Sequence, residues 1–147
     1  MVSLNGLIIE PLKIINHPKG DILHALKRED HTYLGFGEVY FSLVNFGEIK
    51  GWKKHTNMNM NFVVPEGEIK VVAYDDRDES PTKGQFQVVN LSRDKYFRVF
   101  IPAGLWVAFQ GLSRNTNLLM NLADIQHDPN ESTSVPLDSI KFNWEMK

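Results

Sequence analysis

Tyr96-Phe97-Arg98-Val99-Phe100-Ile101 stops at Pro102-Ala103-Gly104, and Trp106-Val107-Ala108-Phe109-Gln110-Gly111-Leu112 follows at once. Two short runs rich in β-branched and aromatic residues, parted by a proline and a glycine, read as neighbouring strands. In the first run, Phe97, Val99 and Ile101 share one face by the two-residue period, and Arg98 lies on the other. The same texture extends in both directions along the chain. Residues 38–44 (EVYFSLV) run into Asn45-Phe46-Gly47, and residues 69–74 (IKVVAY) into a polar stretch that ends at Ser80-Pro81. Residues 86–91 (FQVVNL) precede Ser92-Arg93-Asp94-Lys95, and residues 117–123 (NLLMNLA) form one more run. Several runs are apolar on both faces, as strands between two layers or at a dimer contact would be. The number and spacing of strands predict one all-β domain over residues 1–147, a jelly roll.

Helix signals are poor. Residues 21–34 (DILHALKREDHTYL) place Ile22, Leu23, Ala25 and Leu26 after Asp21, a capping residue, and the pattern supports at most a turn or two. The tail, residues 133–147, reads as loosely tied down.

Composition excludes several classes of function. Sixteen Lys+Arg against eighteen Asp+Glu leave a formal charge of −2, without the basic excess of a protein that holds nucleic acid through phosphate contacts. Hydrophobic residues at 42% allow a packed core. No cysteine is present, which removes disulfides, thiolate zinc sites and cysteine nucleophiles and fits a reducing cytoplasm. No apolar stretch is long enough to span a membrane, and the amino terminus lacks the basic and apolar regions of an export signal.

An ordered set of motifs then carries a family resemblance. The stretches are Ile9-Glu10-Pro11-Leu12-Lys13, Asn16-His17-Pro18-Lys19-Gly20-Asp21 and Phe36-Gly37-Glu38-Val39-Tyr40-Phe41-Ser42. They continue through Gly47-Glu48-Ile49-Lys50-Gly51-Trp52-Lys53-Lys54-His55, Gly67-Glu68-Ile69-Lys70 and the run from Tyr74-Asp75-Asp76-Arg77 to Ser80-Pro81-Thr82. Ile101-Pro102-Ala103-Gly104-Leu105-Trp106 and the tail from His127-Asp128-Pro129 to Trp144 complete the set. In this order the sequence resembles the dTDP-4-dehydrorhamnose 3,5-epimerase superfamily, cupin-type jelly rolls that act on nucleotide-linked 4-keto sugars. The resemblance implies a double-stranded β-helix barrel, a homodimer, and a sugar-nucleotide ligand in the barrel mouth. It also implies that the family's catalytic histidine position is occupied here by Lys53. A further family histidine is replaced by Val107, and the family's tyrosine acid falls where this chain has Ile125-Gln126-His127.

Epimerisation beside a ketone needs a base, an acid on the opposite face and a group that stabilises the enolate oxygen. His55 lies two residues beyond Lys53, so an unbroken strand aims both at one barrel face. An imidazole suits a base or enolate stabiliser near neutral pH, and a ligand-orienting histidine is the alternative. Lys53 reads as a base if desolvated and as a phosphate-binding cation if solvated. His127 reads as a replacement proton donor or as an exposed loop histidine.

For substrate binding, Lys50 matches a family arginine that contacts the nucleotide, and Arg98 is a second cation. Tyr40 and Trp52 are stacking candidates, as are Trp106 and Phe109, with core packing the alternative for each. Arg77 reads as the partner of Asp75 and Asp76. No metal or cofactor is expected, because Lys53 and Val107 occupy ligand positions of metal-binding cupins and leave too few histidines. Neither Ser42 nor Ser113 has the neighbours of a hydrolytic triad, and no Gly-rich phosphate loop is present.

Two functions follow. One is a sugar-nucleotide epimerase or ketoisomerase serving surface-polysaccharide biosynthesis; the other is a carbohydrate or nucleotide-sugar binding module on the same fold. A homodimer is expected through an edge strand near the amino terminus.

Overall fold

The computed structural model describes residues 2–146. In chain order the strands are Ile8–Pro11 (β1), Ile14–Ile15 (β2), Ile22–Leu23 (β3), Glu38–Leu43 (β4), Ile49–His55 (β5) and Met60–Glu66 (β6). They continue as Ile69–Asp75 (β7), Phe86–Leu91 (β8), Phe97–Ile101 (β9), Leu105–Gly111 (β10), Leu118–Ala123 (β11) and Ser132–Ser134 (β12). Two five-stranded antiparallel sheets face each other, ordered β1-β9-β6-β11-β4 and β12-β5-β10-β7-β8, and β2 pairs with β3 in a separate hairpin. The all-β jelly roll that the strand rhythm predicts is the observed architecture.

Alternation decides what lies between the sheets. Ile69, Val71 and Ala73 on β7 point inward, as do Leu105 and Val107 on β10 and Val99 and Ile101 on β9, and they meet Met60, Phe62 and Leu119 in one core. Gly67 turns the β6–β7 hairpin at φ 80°, where a β-carbon would also strike Thr116 O.

Some outward residues of β5, β7 and β10 are apolar and buried as well. Trp52, Val72, Trp106 and Ala108 form a second cluster beneath Val135, Leu137, Ile140, Phe142 and Trp144. The tail is therefore packed, contrary to the loose segment expected from sequence. Trp52 Nε1 donates to Leu137 O at 3.1 Å, and Gln110 Nε2 donates to Trp144 O at 3.2 Å. A single 3₁₀ turn, Leu137–Ser139, is the helical segment found among the described residues. The expected turn of helix within residues 21–34 is absent, because Ile22 and Leu23 pair with Ile15 and Ile14 as a strand instead.

A buried carboxylate organises the loop after β7. Asp75 accepts from Arg77 Nε and Nη2 at 2.9 Å, and from the hydroxyls of Ser80 and Thr82. Burial alone would raise its pKa, yet these bonds hold the carboxyl far below the usual range. Arg77 Nη2 also donates to Asn5 O, which ties the amino-terminal segment to this loop.

Candidate active site

β5 carries the chemistry because its alternation separates two kinds of side chain. Trp52 and Lys54 point outward, Lys54 lying 4.8 Å over the Trp106 ring. Lys53 and His55 point inward and line a cavity of about 450 Å³ counted out to its open mouth. The strand lies between β10 and β12, with Lys53 opposite Val107 on one side and His55 opposite Ser132 on the other. The cavity floor is apolar, built from Met58, Met60, Phe62, Ile101, Leu105, Val107 and Phe109. Its polar groups are Tyr40, Lys53, His55 and Asn121, a small convergent set on an apolar wall as ligand sites commonly have. Tyr40 and Asn121 face each other across the β4–β11 ladder.

His55 is held by a residue that the sequence reading did not select. Glu131, 5% exposed, takes a close hydrogen bond from His55 Nδ1 on one carboxylate oxygen. Its other oxygen accepts the backbone N–H groups of Asn57 and Met58, both at 3.0 Å. Burial pushes the Glu131 pKa up, and the bonds from His55, Asn57 and Met58 outweigh it and bring the pKa down. An ionised carboxylate only accepts, so the proton in this bond sits on Nδ1, which in the neutral ring leaves the lone pair on Nε2. Tyr40 has a raised pKa, from burial first and the charge of Glu38 second, so its phenol stays protonated and able to donate.

The remaining sequence candidates separate. Lys53 reaches the cavity but lies exposed, without the burial that a lysine base needs. Lys50 sits opposite Phe109 but is not among the residues lining the cavity, and its ammonium donates to Leu43 O at 2.7 Å at the end of β4.

Three others are away from the cavity. Trp52 is 1% exposed and packs 5.8 Å from Trp144, so the strand period that sends Lys53 inward sends this indole outward. Arg98, 4% exposed, donates from Nη1 to Ala25 O at 2.8 Å and lies 3.4 Å from Asp30. It lines a different cavity, on the outer face of the first sheet. His127 is exposed in the loop between β11 and β12. Trp52, Arg98 and His127 therefore do not join His55, because two are on opposite sheet faces and one is in a solvated loop. Among the described residues, no three His, Cys, Asp or Glu side chains converge as a metal cage requires.

The likeness of this chain to known proteins runs its full length. A sequence model of the family described as dTDP-4-dehydrorhamnose 3,5-epimerase matches residues 2–147. The probable low-salt glycan biosynthesis epimerase Agl13 of Haloferax volcanii is 26% identical over 144 residues, 94% of this chain and 91% of that protein. The spore coat polysaccharide biosynthesis protein SpsL of Bacillus subtilis is 23% identical, covering 96% of both chains. The crystal structure of a dTDP sugar isomerase from Desulfovibrio desulfuricans G20 is 37% identical, with a TM-score of 0.93 over 98% of this chain and 95% of that one.

Proposed function

The chain belongs to the dTDP-4-dehydrorhamnose 3,5-epimerase family, and from that premise we propose that it moves a proton beside the ketone of a nucleotide-linked 4-keto sugar. Its setting would be surface-polysaccharide biosynthesis in the cytoplasm, as one half of a homodimer. Relatives named for glycan and spore coat polysaccharide biosynthesis support that setting, and the cysteine-free composition fits a reducing compartment.

The observation that carries the reading is the His55–Glu131 pair on the wall of a cavity that also holds a protonated Tyr40. His55 Nε2 takes the proton from the carbon next to the ketone. Glu131 orients the ring and stabilises the imidazolium that forms. Tyr40 supplies a proton to the enolate, from the neighbouring strand system rather than from β5. Lys53, exposed at the rim, offers a positive charge to the diphosphate or to the enolate oxygen. The apolar floor excludes water from the reacting carbon and strengthens each of these interactions.

Incubation with dTDP-4-keto-6-deoxyglucose in deuterated water tests the reading. The expected result is deuterium at C3 or C5 of the recovered sugar. Tight binding of the sugar nucleotide with no incorporation would leave a binding module on this fold. No binding of any sugar nucleotide would defeat both.

A further inference from the structure

The inward row of β11 is Leu119, Asn121 and Ala123, each buried, and Asn121 is its one polar member. Asparagine is a poor strand former, and a buried amide needs partners for both of its ends. Asn121 stands opposite Tyr40 on β4 and Phe62 on β6, so strands on both sides fix its backbone. Its side chain is 3% exposed and lines the cavity that holds His55.

The amino end of the amide is engaged. Nδ2 donates to Leu119 O and Ser42 Oγ, each at 3.2 Å, and to Tyr40 O at 3.4 Å. Two of these partners are backbone carbonyls, which only accept, so turning the amide end for end would set oxygen against oxygen. Oδ1 is therefore the free end, and it accepts from no group among the described residues. Support of the strand accounts for Nδ2 alone.

The other polar groups lining the cavity are Tyr40, Lys53 and His55. The Lys53 ammonium and the Tyr40 phenol donate, and they suit the ketone, the enolate and the diphosphate, all of which accept. In the proposed chemistry His55 Nε2 takes its proton from carbon. A 4-keto-6-deoxyhexose also carries two hydroxyls, at C2 and C3, and each needs an acceptor when it leaves water. We infer that Asn121 Oδ1 accepts from one of these ring hydroxyls, which makes Asn121 the residue that distinguishes a hydroxylated sugar from its deoxy counterpart. A sugar lacking that hydroxyl leaves the amide oxygen buried and unpaired, the circumstance in which a site discriminates most steeply. The inference rests on the reading that a nucleotide-linked 4-keto sugar occupies this cavity; it does not require that proton transfer take place there.

Calorimetric titration tests it with dTDP-4-keto-6-deoxyglucose, its 2-deoxy and 3-deoxy counterparts, and dTDP. Wild type should bind one of the two deoxy sugars about 10–100-fold more weakly than the parent, and the other nearly as well. Asn121→Leu, similar in size but without an amide, should bind all three sugars with equal affinity and keep the wild-type affinity for dTDP. A purely structural role would instead weaken all four ligands together and preserve the wild-type preference among the sugars, which would overturn the inference. So would a wild type that binds both deoxy sugars as tightly as the parent, an arm that needs no variant to fold. Deuterium incorporation is scored separately. Preference among the sugars without incorporation keeps the Asn121 contact and removes the proposed proton transfer, whereas incorporation without preference removes the contact alone. No binding of any of the four would overturn the inference and its premise together.

Discussion

The two sheets treat their outer faces differently. The sheet that holds β5 spreads Trp52, Val72, Trp106 and Ala108 over its outside and covers them with its own tail, ending at Phe142 and Trp144. The sheet that holds β4 covers only one half of its outside. Residues 24–33 cross β9 and β6 there, pinned by Arg98 to Ala25 O and by Asn61 to Thr32 O, and the β11–β4 half stays bare. The difference shows how one barrel divides its work. The covered face builds a rigid support behind Lys53 and His55. The bare face lies behind Tyr40, on the opposite wall of the same cavity.

Breaking the covered face should have the largest effect on stability. Trp52→Ala removes a fully buried indole and its bond to Leu137 O, and should cost about 3–5 kcal/mol in denaturant unfolding. A loss under about 1 kcal/mol, the ordinary scale for a surface substitution, would mean the tail is not the support described. Within the cavity, Glu131→Gln keeps the shape and removes the charge facing His55. Deuterium incorporation should fall about 10–100-fold at nearly constant substrate affinity, matching the roughly 1.5–3 kcal/mol of a charged hydrogen bond.

Asp75→Asn weakens the loop network and should cost about 1–3 kcal/mol. The pH dependence has a definite sign. The folded pKa of Asp75 lies below its unfolded value near 3.9, so its contribution is complete above about pH 4 and fades as pH falls further toward the folded value. Acid unfolding of Asp75→Asn should therefore lack that part of the wild-type slope. The smallest effect belongs to the bare face. Phe41→Ser in the isolated chain should shift unfolding by no more than about 0.5 kcal/mol, because the ring has little to lose in the monomer.

The strands were legible because a two-residue period with proline and glycine stops is a local signal, and β7 through β11 carry it strongly. The pairing of Lys53 with His55 came from the same period. Applied consistently, that period also excludes Trp52 from the pocket, and its outward place follows from one residue of offset. Arg98 likewise alternates with Phe97 and Val99, and which side of the sheet received it depended on residues 24–32, far away in sequence. Residues 21–34 held helix-compatible spacing, but pairing with Ile14 and Ile15 outweighed a weak local propensity. The tail's apolar residues follow no strand or helix period because they fit a surface made by three other strands. Glu131 had the faintest trace. It precedes a three-residue strand of Ser and Thr, and only the pairing of Ser132 with His55 brings its carboxylate to the imidazole.

The proposed chemistry turns on His55, whose ring lines the cavity beside Glu131. With dTDP-4-keto-6-deoxyglucose in deuterated water, His55→Asn should lose at least the 10²–10⁴-fold that general base assistance supplies, while its affinity for dTDP stays near that of wild type. Deuterium incorporation by His55→Asn at the wild-type rate would contradict the account.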